Sequence, residues 1–153
     1  MIDFANELRK AYSGDAWHGN NISMVIAAVK AGQAFAHPIP GAHSIAELVL
    51  HLSSWTEEVI SRLSGNLPKE PQKGDWPVPL HKTEAQWKAI LADFSQINEN
   101  LLILVTQFSE EQWSAKLFTG RMPTAALNHF ELLNGLIQHY AYHGGQIALL
   151  SKF

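Results

Sequence analysis

A chain of 153 residues with 46% hydrophobic and 16% charged side chains has enough apolar material for one core, which excludes a disordered chain. The net charge of -3 and the scattered basic residues argue against a nucleic-acid partner and an anionic membrane surface. There is no cysteine, and no apolar run approaches the roughly 20 residues of a membrane-spanning helix. We therefore expect a single domain over 1–153, located in the cytoplasm and without a signal peptide.

The N-terminal third is predicted to be helical. Apolar residues recur with a period near 3.6 along most of the chain, and no segment alternates as a strand does. A first helix is predicted over residues 2–12 and a second helical stretch over about 24–31. Two prolines and a glycine in residues 38–41 then end this region.

Two capping boxes open the central helices. Ser44 is expected to cap helix two, with Glu47 reaching back to it, and this helix is predicted to end near Leu63. Thr83 and Gln86 open helix three, which is predicted to reach about residue 108. Residues 65–82 hold four of the seven prolines and are predicted to form a long ordered crossover between these helices. Its predicted apolar anchors are Leu67, Trp76, Val78 and Leu80.

The C-terminal part contains a short helix and a long one. Ser109 to Gln112 is predicted to start a short helical turn that ends near Trp113, and the last helix is predicted over about 124–150. Four long helical units with at least one long connection predict an all-α four-helix bundle. The pattern alone leaves both a crossover between parallel neighbours and a simple up-and-down order open.

The strongest functional signal is a pair of histidines in the last helix. One apolar stripe, with spacings of three and four, contains Leu132, Leu136, His139, His143, Ile147 and Leu150. His139 and His143 therefore face the core, about 5–6 Å apart, and can reach one metal ion. His51 lies on the inward stripe of helix two. Three histidines would leave one metal position open for water or substrate, as in catalytic zinc sites.

Simpler interpretations exist for each of these residues. A lone histidine on an apolar stripe is more often a hydrogen-bonded core residue, although two unpartnered buried imidazoles would be costly. Trp17 and His18, in a turn beside the bundle mouth, are predicted to line a substrate pocket; the alternatives are a packing tryptophan and a surface histidine. Glu47 is either a hydrogen-bond acceptor for His51 or only a helix cap, and we favour the cap.

Several segments resemble the DinB-like superfamily, which includes damage-inducible proteins, YfiT-like metal-dependent hydrolases and thiol S-transferases. The matching segments are residues 43–51 with Trp55, residues 139–147, the Trp17-His18-Gly19 turn, residues 62–65 and residues 75–77. The most specific part is His-x3-His-x-Gly-Gln in the last helix, combined with a single histidine on helix two. The resemblance covers nearly the whole chain.

The resemblance implies an up-down-down-up four-helix bundle, often a homodimer, that binds a divalent metal, commonly zinc or nickel. The implied ligands are His51, His139 and His143. Related proteins act with low-molecular-weight thiols such as bacillithiol or mycothiol, and others are described as hydrolases. The favoured function is a metal-dependent S-transferase for a small-molecule substrate. A metal-dependent hydrolase and a non-catalytic, stress-related dimerisation module remain open, and no catalytic residue beyond the ligands is assigned.

Overall fold

The computed structural model of the protein describes residues 2–117 and 127–153, and this part of the chain is helical, without strands. The helices are α1 (Phe4–Tyr12), α2 (Ile22–Ala27), α3 (Ala31–Ala34), α4 (Ile45–Leu63), α5 (Glu84–Val105), α6 (Glu110–Ser114) and α7 (His129–Leu150). The all-α prediction is confirmed. None of the described helices is sufficiently long and apolar to cross a membrane.

Side-chain caps determine where the helices begin. The Ser44 hydroxyl accepts a hydrogen bond from the Glu47 amide, and Glu47 Oε2 accepts one from the Ser44 amide at 2.7 Å, as predicted. At Thr83 the hydroxyl accepts from the Gln86 amide, but among the described residues no bond from the Gln86 side chain completes the box. Ser109 caps α6 with a complete box.

Three helix boundaries differ from the predictions. The predicted start of the last helix near residue 124 lies outside the described residues, and α7 begins only at His129, because Asn128 is extended and caps it. The second helical stretch is divided, because Lys30 is extended between α2 and α3. Helix α5 ends at Val105 rather than near residue 108.

Helices α1, α4, α5 and α7 surround the core, with α4 packed on α5 and α7, and α1 packed on α7 and α5. A buried polar network joins three of them. The Tyr140 hydroxyl of α7 donates to Asn98 Oδ1 of α5 at 2.5 Å and lies 2.8 Å from Thr56 Oγ1 of α4. Burial raises the pKa of Tyr140 well above its ordinary value, so this hydroxyl stays protonated and able to donate.

The crossover over residues 65–82 contains no helix, but most of its predicted anchors are wrong. Leu67, Val78 and Leu80 are exposed, and only Trp76 packs against the core. Polar contacts with α4 hold the segment instead. The Ser54 hydroxyl donates to the Gly74 carbonyl at 2.7 Å, and Trp55 Nε1 donates to Asp75 Oδ1 at 2.7 Å. These bonds bring residues 74–76 to the middle of α4, beside His51.

Candidate metal centre

Three histidines converge between α4 and α7. One ring nitrogen from each of His51, His139 and His143 lies within 4.8 Å of the others. The Nε2 atoms of His51 and His139 are 3.0 Å apart. His51 and His143 are buried and His139 is half-buried. Across residues 2–117 and 127–153, no fourth histidine, aspartate or glutamate joins the group. The structure therefore brings together the three predicted ligands in an arrangement compatible with a divalent metal.

Hydrogen bonds on the outer nitrogens orient two of the rings. His51 Nδ1 donates to the Asp75 backbone carbonyl at 2.6 Å and lies 3.2 Å from Asp75 Oδ1. His143 Nδ1 lies 2.7 Å from Gln146 Oε1, which accepts its proton. Each bond places the proton on Nδ1 and leaves the Nε2 lone pair for the cluster, so that Nε2 can bind a metal.

Burial favours the neutral form of His139 and His143. The pKa of His139 is lowered to about 4, mainly because burial disfavours the charged ring and also because a protonated His143 or His51 would repel it. Burial also lowers the pKa of His143, although the hydrogen bond that its Nδ1 donates to Gln146 Oε1 acts in the opposite direction. Because only neutral imidazole has a free lone pair, these shifts favour metal binding near neutral pH.

An aromatic stack covers one face of His51. The Trp76 ring lies between His43, at a centroid distance of 3.7 Å, and His51, at 3.9 Å, and it is nearly parallel to both. His43 precedes the Ser44 cap, as expected, but it also forms the outer layer of this stack. The stack prevents the His51 ring from rotating away from the cluster.

Two cavities meet the cluster from different sides. A cavity of about 480 Å³, here called the apolar cavity, is lined by Ile39, Leu48, Trp76, Tyr142, His143 and Leu149, among others. A cavity of about 410 Å³, here called the charged cavity, is lined by His51, Glu58, Arg62, Asp75, Glu131 and His139 together with apolar side chains. Both volumes are suitable for small molecules.

Comparison with known proteins identifies the family. The family model described as the DinB superfamily matches residues 16–147, a range that contains all three histidines of the cluster. The chain belongs to the DinB superfamily. No curated protein and no solved structure matches it.

The other predicted site residues of this DinB-superfamily chain lie apart from the cluster. Trp17 is fully exposed, and the exposed His18 lines a separate cavity beside Tyr140 and Gly144. Neither lines the apolar or the charged cavity. Their role in substrate binding therefore stays a prediction without support from this geometry.

Sequence reasoning missed how the residues around the cluster act. Glu47 caps α4 and accepts a bond from His37 Nε2 at 2.9 Å, in agreement with the cap interpretation. The acceptor for His51 is Asp75, which the sequence marks only as part of the resembling segment 75–77. The sequence contains one signal for this contact, a polar Gly-Asp pair inside the proline-rich crossover. The signal is weak, because a loop sequence has no periodicity from which its contacts can be predicted.

Proposed function

We propose that the protein binds one divalent ion, zinc or nickel, through His51, His139 and His143, and that it transfers a low-molecular-weight thiol such as bacillithiol to an electrophile. The observation that carries this proposal is the set of three converging imidazoles with no fourth protein donor among the described residues. Three-ligand sites of this kind are typical of catalytic metals, whereas structural zinc sites have four protein ligands.

The residues around the cluster have distinct roles in this proposal. Asp75 and Gln146 hold the imidazoles in the ligating tautomer, and Trp76 shields His51 from water. A bound divalent ion would supply positive charge that lowers the pKa of a thiol or water held beside it. The apolar cavity next to His143 offers space for the body of an electrophile, while the thiol approaches the cluster from the other side.

The first test measures the metal. Purified protein reconstituted with zinc or nickel is expected to hold about one ion per chain by elemental analysis, and His143→Ala is expected to lose most of it. His81→Ala, which removes an exposed histidine of the crossover, is the matched control and should keep the ion. Absence of metal from both the wild-type protein and His143→Ala would refute the metal site.

The second test measures the reaction. With bacillithiol and monochlorobimane, the thiol sulfur forms a bond to carbon, chloride leaves with the bonding pair, and the thiol proton passes to solvent. Conjugation is expected to stop on chelation and in His51→Ala. Metal-dependent ester or amide cleavage without conjugation would instead favour the hydrolase, and neither activity would favour a non-catalytic metal-binding module.

We also propose the up-down-down-up order for α1, α4, α5 and α7. Phe4 stacks on Phe130, while Tyr12 and Tyr140 both contact Phe94, which favours a parallel arrangement of α1 and α7.

The contacts of α4 support the same order. His51 lies against His143, near the C-terminal part of α7, whereas Val59 shares the charged cavity with Leu132, near its start. This favours an antiparallel arrangement of α4 and α7. A chain that runs down in α4 and down again in α5 needs a long return connection, and residues 65–82 have that length.

A further inference from the structure

Gln146 gives the apolar cavity a hydrogen-bond donor whose direction is fixed. Its Oε1 accepts the Nδ1 proton of His143 at 2.7 Å, and both residues line this cavity. A carboxamide carries its acceptor oxygen and its donor NH2 group on different sides of one carbon. The NH2 group of Gln146 therefore points away from the His143 ring. In the described part of the chain no protein acceptor bonds to this group, so its protons are available to a ligand.

The charge of the lining favours an uncharged ligand. Among the described residues, no carboxylate, lysine or arginine lines the apolar cavity. Its apolar part consists of Ile39, Ala42, Leu48, Leu149 and Leu150. A ligand with an anionic or cationic group would lose hydration in this cavity without meeting a fixed opposite charge, which is costly.

Trp76 presents the edge of its indole ring to the same cavity. His43 covers one face of the indole at a centroid distance of 3.7 Å, and His51 covers the other face at 3.9 Å, so only the edge is left for a ligand. The edge of an aromatic ring is positive and its face is negative, so this edge attracts the face of a second aromatic ring. The volume of about 480 Å³ is sufficient for a bicyclic ring system.

We propose that the apolar cavity binds an uncharged aromatic molecule that carries a carbonyl oxygen, with the Gln146 NH2 group donating a hydrogen bond to that oxygen. The inference rests on the proposed function only where it gives the electrophile a chemical class, because the binding itself requires neither a thiol nor a metal. It identifies Gln146 as a specificity-determining residue, since a molecule of the same shape without the oxygen offers its NH2 group no acceptor.

The experiment compares two molecules of nearly equal shape by NMR. Isotope-labelled protein is titrated with 2-acetylnaphthalene and with 2-isopropenylnaphthalene, in which a methylene group replaces the carbonyl oxygen. The ketone is expected to shift the side-chain NH2 signals of Gln146 downfield, because these protons then form a hydrogen bond, and the alkene is expected to leave them without such a shift.

A substitution of Gln146 separates its two hydrogen bonds. Gln146→Glu keeps an acceptor for His143 but has no NH2 group. It should weaken binding of the ketone about fivefold, the contribution of one hydrogen bond, and leave the Kd of the alkene unchanged. Gln138→Glu, at an exposed position of the same helix outside the cavity, is the matched control and should change neither Kd.

Three results would overturn the inference. They are unshifted Gln146 NH2 signals in the ketone complex, an equal loss of affinity for both molecules in Gln146→Glu, and failure of both molecules to bind. The proposed function is tested separately on the same protein, by its metal content and by thiol conjugation. Either of those tests can fail while the ketone still binds at Gln146, and both can succeed while it does not, so the two failures are distinguishable.

Discussion

At the scale of single residues, the contact between Asp75 and His51 links the crossover to the cluster. The Asp75 carbonyl accepts the Nδ1 proton, and its carboxylate lies 3.2 Å from the same nitrogen. Asp75→Ala keeps the carbonyl acceptor but removes the carboxylate beside Nδ1 and its bond from Trp55. We therefore expect it to weaken zinc affinity by up to about tenfold, because a nearby carboxylate raises the basicity of a ligating histidine. Competition with a chelator measures the affinity. Asp93→Ala, which removes an exposed carboxylate paired with Lys73, is the control, and equal affinities in the two variants would contradict the prediction.

His139 gives the metal-free protein a dependence on pH. Its pKa is about 4 in the folded state against 6.5 ordinarily, because burial disfavours the charged ring. Between these values the unfolded chain binds more protons, so the free energy of unfolding should decrease as the pH falls from 6.5 to 4. The ring is half-buried, so solvent screening makes the effect smaller than the full shift implies.

Urea unfolding of the metal-free protein at several pH values measures this dependence. His139→Gln should give a flatter profile than the wild-type protein over the same window. Profiles of equal slope would show that the His139 ring is not the titrating group.

At the scale of secondary-structure elements, the crossover depends on one aromatic residue. Among the predicted apolar anchors of the crossover, Trp76 packs on the core. Its ring lies between the rings of His43 and His51. We expect Trp76→Ala to lower the free energy of unfolding by about 2 kcal/mol, less than full core truncations cost, because the ring is only half-buried. It should also weaken zinc binding, since His51 loses its support.

Trp17→Ala is the matched control, because the Trp17 side chain is fully exposed. Its effect on the free energy of unfolding should stay within about 0.5 kcal/mol. Equal losses in the two variants would mean that Trp76 does not anchor the crossover.

At the scale of the whole molecule, we propose a homodimer, as the family resemblance implies. Exposed apolar side chains such as Ile103 and Phe153 lie outside both cavities, and a partner that covered them would remove them from water without closing either cavity. Light scattering should give about twice the chain mass of 17.0 kDa. A mass of one chain across a wide range of concentrations would refute the dimer.

Local patterns in the sequence predicted the helical class, the Ser44 and Ser109 caps and the inward pair His139 and His143. Each depends on residues within about four positions of one another, where helix geometry alone sets the neighbours. The Asn128 cap is equally local, since Glu131 stands three residues after it, and it was a missed signal rather than an unpredictable one.

Only the tertiary structure decided what surrounds the histidines. It placed Asp75 on His51 and Trp76 over the same ring, although the partners are separated by more than twenty residues and one lies in an aperiodic loop. It also left Trp17 exposed and formed the two cavities that meet the cluster. Such contacts depend on how α4, α7 and the crossover pack together, and the spacing of residues within one segment carries no information about that packing.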